Sequence, residues 1–219
     1  HETHLLLKVA FPVDIRATRA IYDIQWGQID RPTHRNTSWD AAQFEVPAQK
    51  WADLSEGDYG VALLNDCKYG YDIRGDVLRL SLIKSATMPD SGADQGSHRF
   101  TYALLPHQHN TRTEVRAEAY ALNYPPRVMT GPGHDVLPQP LVQCLSNRAV
   151  IETVKPADDG NGVIVRMFEA HNSRGAVELK VSNAVTAIAR AGLLEEDGEA
   201  LNVQNERVSI PLAPYEIVT

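Results

Sequence analysis

The chain has 219 residues, 43% of them hydrophobic and 22% charged, a balance that fits an ordered globular protein with one large or two smaller cores. Its formal net charge of -7 argues against broad binding to nucleic acid phosphates or anionic lipid, and no apolar run approaches the roughly 20 residues of a membrane helix. Two cysteines, Cys67 and Cys144, make no disulfide framework and point to a reducing, cytoplasmic setting.

Period-two patterns dominate from the start. HETHLLLKVAFP has no Met and no basic leader, and it enters alternation at once, with Leu5, Leu7, Val9 and Phe11 on one face. The expectation is a piece of a longer chain. AIYDIQWGQI, QFEV and GVALLND read as further strands. In VLRLSLIK, Leu78, Leu80 and Leu82 point one way and Arg79 and Ser81 the other, as in a half-buried antiparallel strand. Between those last two runs lies a polar insert, NDCKYGYDIRGD, whose residue types suit a metal nest, a catalytic centre or an ordinary hairpin. HRFTYALLP is a strand. TRTEVRAEAYALN is a short helix, since Val115, Ala119 and Leu122 fall at helical spacing and Tyr124-Pro125-Pro126 stops it. RVMTGPGHDVLPQP, residues 127–140, reads as a linker or long loop.

Beyond it come shorter strands, LVQCLS, AVIETVK, GVIVRMFEA, AVELKVS and RVSIPL, with turn signals at DDGNG, NSRG and EEDGE. VIVRMF is almost continuously apolar and predicts a central strand covered on both faces. The organisation expected is all-β: a large sandwich over residues 1–138 and a small Ig-like sandwich over residues 139–219.

The chemistry-bearing types form no complete set. His107-Gln108-His109 is the only close histidine pair, and PHQHN at a strand end reads most simply as a solvated turn. Asp66, Cys67 and Asp72 could gather a cation, yet no EF-hand or zinc spacing is present. There is no GxSxG, GxxxxGK[ST] or GxGxxG. Lys68 beside Cys67 is usually an accident of sequence, and Cys144 in LVQCL is a core position. With 28 Asp plus Glu, spacing singles out no catalytic pair. Two loops, DRPTHRNTSWD (Asp30 to Asp40) and NDCKYGYD (Asn65 to Asp72), combine cations, amides, acids and aromatics that suit sugar hydroxyls, although Asn, Asp and Gly also make turns with no ligand.

The same loops carry a resemblance. RPTHRNTSWD, then WADLSEGDYGVALLNDCKYGYDIRGDVLRLSLIKS, then PDSGADQGSHRFTYALLPH resemble the C-terminal β region of glycoside hydrolase family 38, the α-mannosidases, in its cytosolic and bacterial branch. AVIETVKPADDGNGVIVRMFEA and PLAPYEIVT resemble that family's final sandwich. The resemblance implies a galactose-mutarotase-like β-supersandwich followed by a small sandwich, in a retaining hydrolase of α-mannosides. It implies that the zinc ion, its ligands and the Asp nucleophile belong to an N-terminal catalytic domain of the parent chain, so no catalytic or metal residue is assigned to this one. Its implied partners are that domain and the α-mannoside. Candidates for the substrate edge or interdomain face are Arg31, His34, Asn65, Asp66, Lys68, Tyr69, Tyr71 and Asp72.

Two other readings stand beside it. A mutarotase-type epimerase needs a His acid and a carboxylate base in one cleft; His98, His107 and His109 could supply the first, and Glu114 or Glu118 the second. A free-standing carbohydrate-binding module needs only the polar loops.

Overall fold

A computed structural model describes residues 4–108, 112–128, 139–196 and 198–219. The chain divides into two compact units, residues 1–128 and 129–219. Among the described residues, no helix is long and apolar enough to cross a membrane.

The larger unit holds β1 (Leu6–Pro12), β2 (Arg19–Ile24), β3 (Gly27–Pro32), α1 (Ser38–Ala42), β4 (Val46–Pro47), β5 (Trp51–Ser55), β6 (Tyr59–Asn65), β7 (Gly70–Arg74), β8 (Val77–Lys84), β9 (Tyr102–Gln108) and α2 (Arg112–Asn123). The strands form two antiparallel sheets, a five-stranded one ordered β3-β2-β5-β6-β9 and a four-stranded one ordered β1-β8-β7-β4. Side chains alternate along a strand, so each face is legible in the burial. Tyr22, Leu54, Val61 and Leu63 of the five-stranded sheet share one core with Tyr71, Ile73, Leu78 and Leu80 of the four-stranded sheet. The opposite face of the five-stranded sheet presents Trp51, Ala62 and Leu64, which pack under Val115 and Ala119 of α2. Covered on both faces, β6 is buried from Gly60 to Asn65.

The outer face also carries charge. His107 on β9 pairs opposite Gly60 on β6, and its Nε2 lies 2.8 Å from Asp53 Oδ1 on β5. Ser55 donates to the same carboxylate, and Arg112 at the start of α2 stands 3.5 Å from it. Gly60 makes room for the ring: a Cβ there would come within 2.4 Å of His107 Cε1. The bond to Asp53 raises the His107 pKa against the opposing effect of burial. PHQH is therefore not a solvated turn; cross-strand pairing draws His107 inward, and His109 lies outside the described residues.

Three further expectations are corrected. AIYDIQWGQI is a hairpin, β2 and β3, turning at Trp26 with φ +57°. QFEV contributes only Val46 to a strand, because the preceding residues leave α1, which is fixed by a Thr37–Asp40 capping box. Half of the polar insert is strand: Tyr71 and Ile73 of β7 face the core, and Gly75 at φ +58° turns the chain into β8. The helix expected over TRTEVRAEAYALN is present as α2.

The smaller unit holds β10 (Val142–Cys144), β11 (Ala149–Pro156), β12 (Val163–Glu169), β13 (Gly175–Val181), β14 (Ile188–Ala189), β15 (Ala200–Leu201), β16 (Arg207–Leu212) and β17 (Ile217–Val218). Sheets β10-β13-β16 and β11-β12-β17 share a core of Val177, Leu179, Ile210, Met167 and Val218, and β14 pairs with β15. At the end of β12 the buried Glu169 accepts from the His171 and Tyr215 amides at 2.9 and 3.1 Å and from the Ser173 hydroxyl at 2.9 Å. Burial raises its pKa, but these donors outweigh it and hold the carboxyl below its usual range. VIVRMF is central, yet covered only in its second half: Met167 and Phe168 are buried while Val163 is 47% exposed.

The Asp53–His107 pair predicts a pH dependence. A histidine whose folded pKa is raised contributes stability that is complete below its unfolded value of about 6.5 and is lost as pH rises through the folded value. In urea titrations from pH 6 upward, Asp53→Asn should remove that decline relative to the unsubstituted chain. Equal slopes in both proteins would show that the pair does not titrate as described.

Candidate functional site

The crossing from the five-stranded to the four-stranded sheet, residues 65–71, is built around Asn65. Its Oδ1 accepts from the amides of Cys67, at 3.0 Å, and Lys68, which folds the chain into an Asx turn. Its Nδ2 donates to the Gln49 carbonyl at 3.1 Å and to the Tyr71 hydroxyl oxygen, while Tyr71 donates to the same carbonyl at 3.3 Å. The Asn65 amide donates to Lys50 O, and its own carbonyl accepts from Asn123 at the end of α2 at 3.0 Å. The buried side chain thus ties together β6, the turn, β7 and Gln49, and the main chain of the same residue holds Lys50 and the end of α2. Tyr71 itself is a core residue, fully buried, edge-on to Tyr22 at 6.4 Å, and burial pushes its phenol far up.

On this frame the exposed turn residues are held from below. Asp66 exchanges bonds with Thr101, accepting its amide at 2.9 Å and donating to its carbonyl at 3.1 Å. Slight burial raises the Asp66 pKa, but the Thr101 and Cys67 donors outweigh this and lower it. Lys68 Nζ lies 5.0 Å over the Phe100 ring. Tyr69 is 59% exposed, and its carbonyl accepts from Ala48.

The other candidates meet at a second place, beside α1. Arg31 stacks over Tyr22 at 4.8 Å and donates to Pro47 O at 2.8 Å. His34 Nδ1 lies 3.5 Å from Asp40. Asp72 contacts Arg79 at 2.8 Å and Lys8 at 3.8 Å. Arg31, His34 and Asp72 line a common cleft of about 20 Å³, room for one or two waters and far too little for a sugar ring. The eight candidates therefore form two clusters, with Asn65 and Tyr71 acting from within.

Neither cluster has the chemistry of a metal centre. Among the described residues no three His, Cys, Asp or Glu side chains come together as a ligand set, and His34–Asp40 supplies only two donors. Among the described residues, those an epimerase would require differ in burial. His107 is enclosed against Asp53, Glu114 and Glu118 are exposed on α2, and His98 lies in a surface loop bonded to Asp94 O at 2.8 Å.

Sequence reasoning missed Gln49, Tyr22 and the Asp53–His107 pair, whose roles come from partners distant in the chain. It also passed over Trp39, 81% exposed on α1, although the capping signal Thr37-x-x-Asp40 that fixes its helix was present in RNTSWD.

Residues 1–92 match the glycosyl hydrolases family 38 C-terminal domain, and residues 148–219 match the glycosyl hydrolases family 38 C-terminal beta sandwich domain. Alpha-mannosidase 2C1 of Homo sapiens is 41% identical over 226 residues, covering 100% of this chain and 22% of that protein. Alpha-mannosidase G of Dictyostelium discoideum is 39% identical over 231 residues, covering 100% of this chain and 21% of that protein. The crystal structure of an alpha-mannosidase from Enterococcus faecalis V583 has a like fold, with a TM-score of 0.80 at 21% identity over 97% of this chain and 25% of that one. The chain spans about a fifth of the length of the curated relatives it matches.

If Asn65 organises the crossing, Asn65→Ala removes one of the Tyr71 hydroxyl's two partners and strands the amides of two turn residues. The expected cost is about 2–4 kcal/mol in urea denaturation, with faster hydrogen exchange at the Cys67 and Lys68 amides, whose acceptor is lost. A cost below about 0.5 kcal/mol would place the organising contact elsewhere.

The chain belongs to the C-terminal region of glycoside hydrolase family 38.

Proposed function

We propose that this chain is the non-catalytic C-terminal β region of a retaining, cytoplasmic α-mannosidase, where it buttresses and edges an active site carried by an N-terminal catalytic domain. In this reading the larger unit is a galactose-mutarotase-like supersandwich, residues 1–138, and the smaller an Ig-like sandwich, residues 139–219. A zinc ion would be held by the catalytic domain and would grip sugar hydroxyls there; no residue of this chain is asked to hold it. The free thiols of Cys67 and Cys144 are in keeping with a reducing compartment.

The observation that carries the proposal is an apolar groove on the four-stranded sheet. Leu6, Phe44, Pro47, Tyr69 and Ile83 line an open hollow of about 620 Å³, together with the polar Glu45, Ser81, Lys84 and Asp94, and Phe44 is 62% exposed. Large exposed apolar faces of this kind are what a domain interface buries. Tyr69 is then an interdomain contact. Asp66 and Lys68, on the same pinned turn, are held where polar groups can meet the neighbouring domain or the mannoside at its edge. Arg31 through its bond to Pro47 O and its stack on Tyr22, His34 through its contact with Asp40, and Asp72 through its ion pairs support that rim and act on the sugar only indirectly.

Two measurements test this. The isolated chain should hydrolyse p-nitrophenyl α-mannoside no faster than buffer, and turnover would overturn the reading. In the intact parent enzyme, Phe44→Asp combined with Tyr69→Asp should lower the temperature of activity loss by several degrees and reduce kcat/KM. Unchanged kinetics and unchanged stability would remove the groove from the interface.

A further inference from the structure

In the smaller unit, the turn that joins β11 to β12 reads ADDGNG, residues 157–162. It is held from several sides. The Ala157 amide donates to Gly162 O at 3.1 Å, and the Gly160 amide donates to Ala157 O at 3.0 Å. The Asp158 amide donates to Glu195 Oε2 at 2.9 Å, and Lys155 Nζ pairs with both Asp158 and Glu195. Asp159 Oδ1 accepts the Asn161 amide at 2.8 Å. Gly160 at φ +79° and Gly162 at φ +115° take the backbone conformations that close the loop.

One amide of the turn is left over. A hydrogen-bonded pair of facing residues in an antiparallel ladder exchanges two bonds, so Gly162 would return a bond to Ala157 O. Gly160 already occupies that acceptor, and among the described residues no hydrogen bond engages the Gly162 amide. Asn161 and Gly162 are both exposed. The Asn161 side chain is held only at long range, with Nδ2 3.4 Å from Asp159 Oδ2. An exposed carboxamide therefore stands beside a backbone nitrogen that has no partner and, on a glycine, no side chain to crowd its approach.

We propose that Asn161 is a site of spontaneous covalent modification, deamidating in the folded protein to aspartate and isoaspartate. The Gly162 nitrogen loses its proton and attacks Asn161 Cγ. The N–Cγ bond forms, the Cγ–Nδ2 bond breaks, and the amide group takes up a proton and leaves as ammonia. Water then opens the resulting succinimide. Cleavage of the N–Cγ bond gives aspartate in the normal main chain, and cleavage at the Asn161 main-chain carbonyl gives isoaspartate, with the chain running through Cγ. The neighbouring Asp159-Gly160 pair could form the same ring, but the Gly160 amide is engaged by Ala157 O. Either product adds a carboxylate to a turn that already holds Asp158 and Asp159 beside Glu195, with Lys155 as the cation that pairs them. Isoaspartate also lengthens the main chain by one methylene, which pulls Gly162 O away from the Ala157 amide. The isoaspartyl chain is then a substrate for a repair methyltransferase that uses S-adenosylmethionine.

The test is to age the 219-residue chain in mildly alkaline buffer, folded in one arm and unfolded in urea in the other. Trypsin releases residues 149–166 as one peptide, because Pro156 blocks cleavage after Lys155. Mass spectrometry should find the aspartyl mass at position 161 accumulating in the folded chain within about threefold of the unfolded rate, as for a loop that needs no opening. Isoaspartyl methyltransferase with labelled S-adenosylmethionine should mark the same peptide, and Asn161→Ser should abolish the mark in the folded chain. As conversion proceeds, the Ala157 amide should exchange faster while the Glu169 amide, at the far end of β12, does not change. A folded chain that keeps Asn161 while the unfolded chain loses it would overturn the proposal. So would a mark that persists in folded Asn161→Ser, which would place the reaction at Asp159.

Discussion

The larger unit depends on the satisfaction of one buried amide. Asn65 sits where β6 leaves the five-stranded sheet, and every hydrogen-bonding group of its side chain is engaged. A buried polar group left unpaired costs more than a formed bond returns, so this network is stable only when its members are all in place. It fixes the path of 66–69 and the docking of Tyr71 into the core at once, and the main-chain carbonyl of the same residue holds the end of α2. The exposed groups of the turn, Asp66, Lys68 and Tyr69, inherit their positions from it. A surface meant to meet another domain needs such a rigid underlayer, because contacts held by mobile loops must first pay the entropy of ordering.

The same logic of covered polarity recurs at two other points. Asp53 and His107 are enclosed beneath α2, where Gly60 gives the ring its space. Glu169 closes the end of β12 by accepting from two loops. Glu169 is a carboxyl removed from water whose pKa is lowered by the donors aimed at it, and the Asp53 carboxylate raises the pKa of the enclosed His107. Their pH responses have opposite signs: the histidine's contribution fades as pH rises, and the glutamate's as pH falls through its lowered pKa.

Much of the architecture was legible in the sequence because its causes are local. The alternation of Leu78, Leu80 and Leu82, the helical spacing of Val115, Ala119 and Leu122, and the turn residues of the smaller unit all place elements where they occur. What escaped is what depends on partners far along the chain. Tyr71 looked like a rim aromatic because its neighbours Lys68 and Asp72 are polar, and only cross-sheet pairing shows that it faces inward. His107 looked solvated because Pro106 precedes it, and only Asp53, 54 residues earlier, draws it into the interior. VIVRMF signals a covered strand, but no pattern in it reveals that only its second half is buried.

The most direct test of the Asn65 account is a double-mutant cycle with Asn65→Ala and Tyr71→Phe, read by urea denaturation of the two single variants and the double. Coupling of about 1–2 kcal/mol is predicted, since each change removes the other's partner. Additive losses, with coupling indistinguishable from zero, would contradict it.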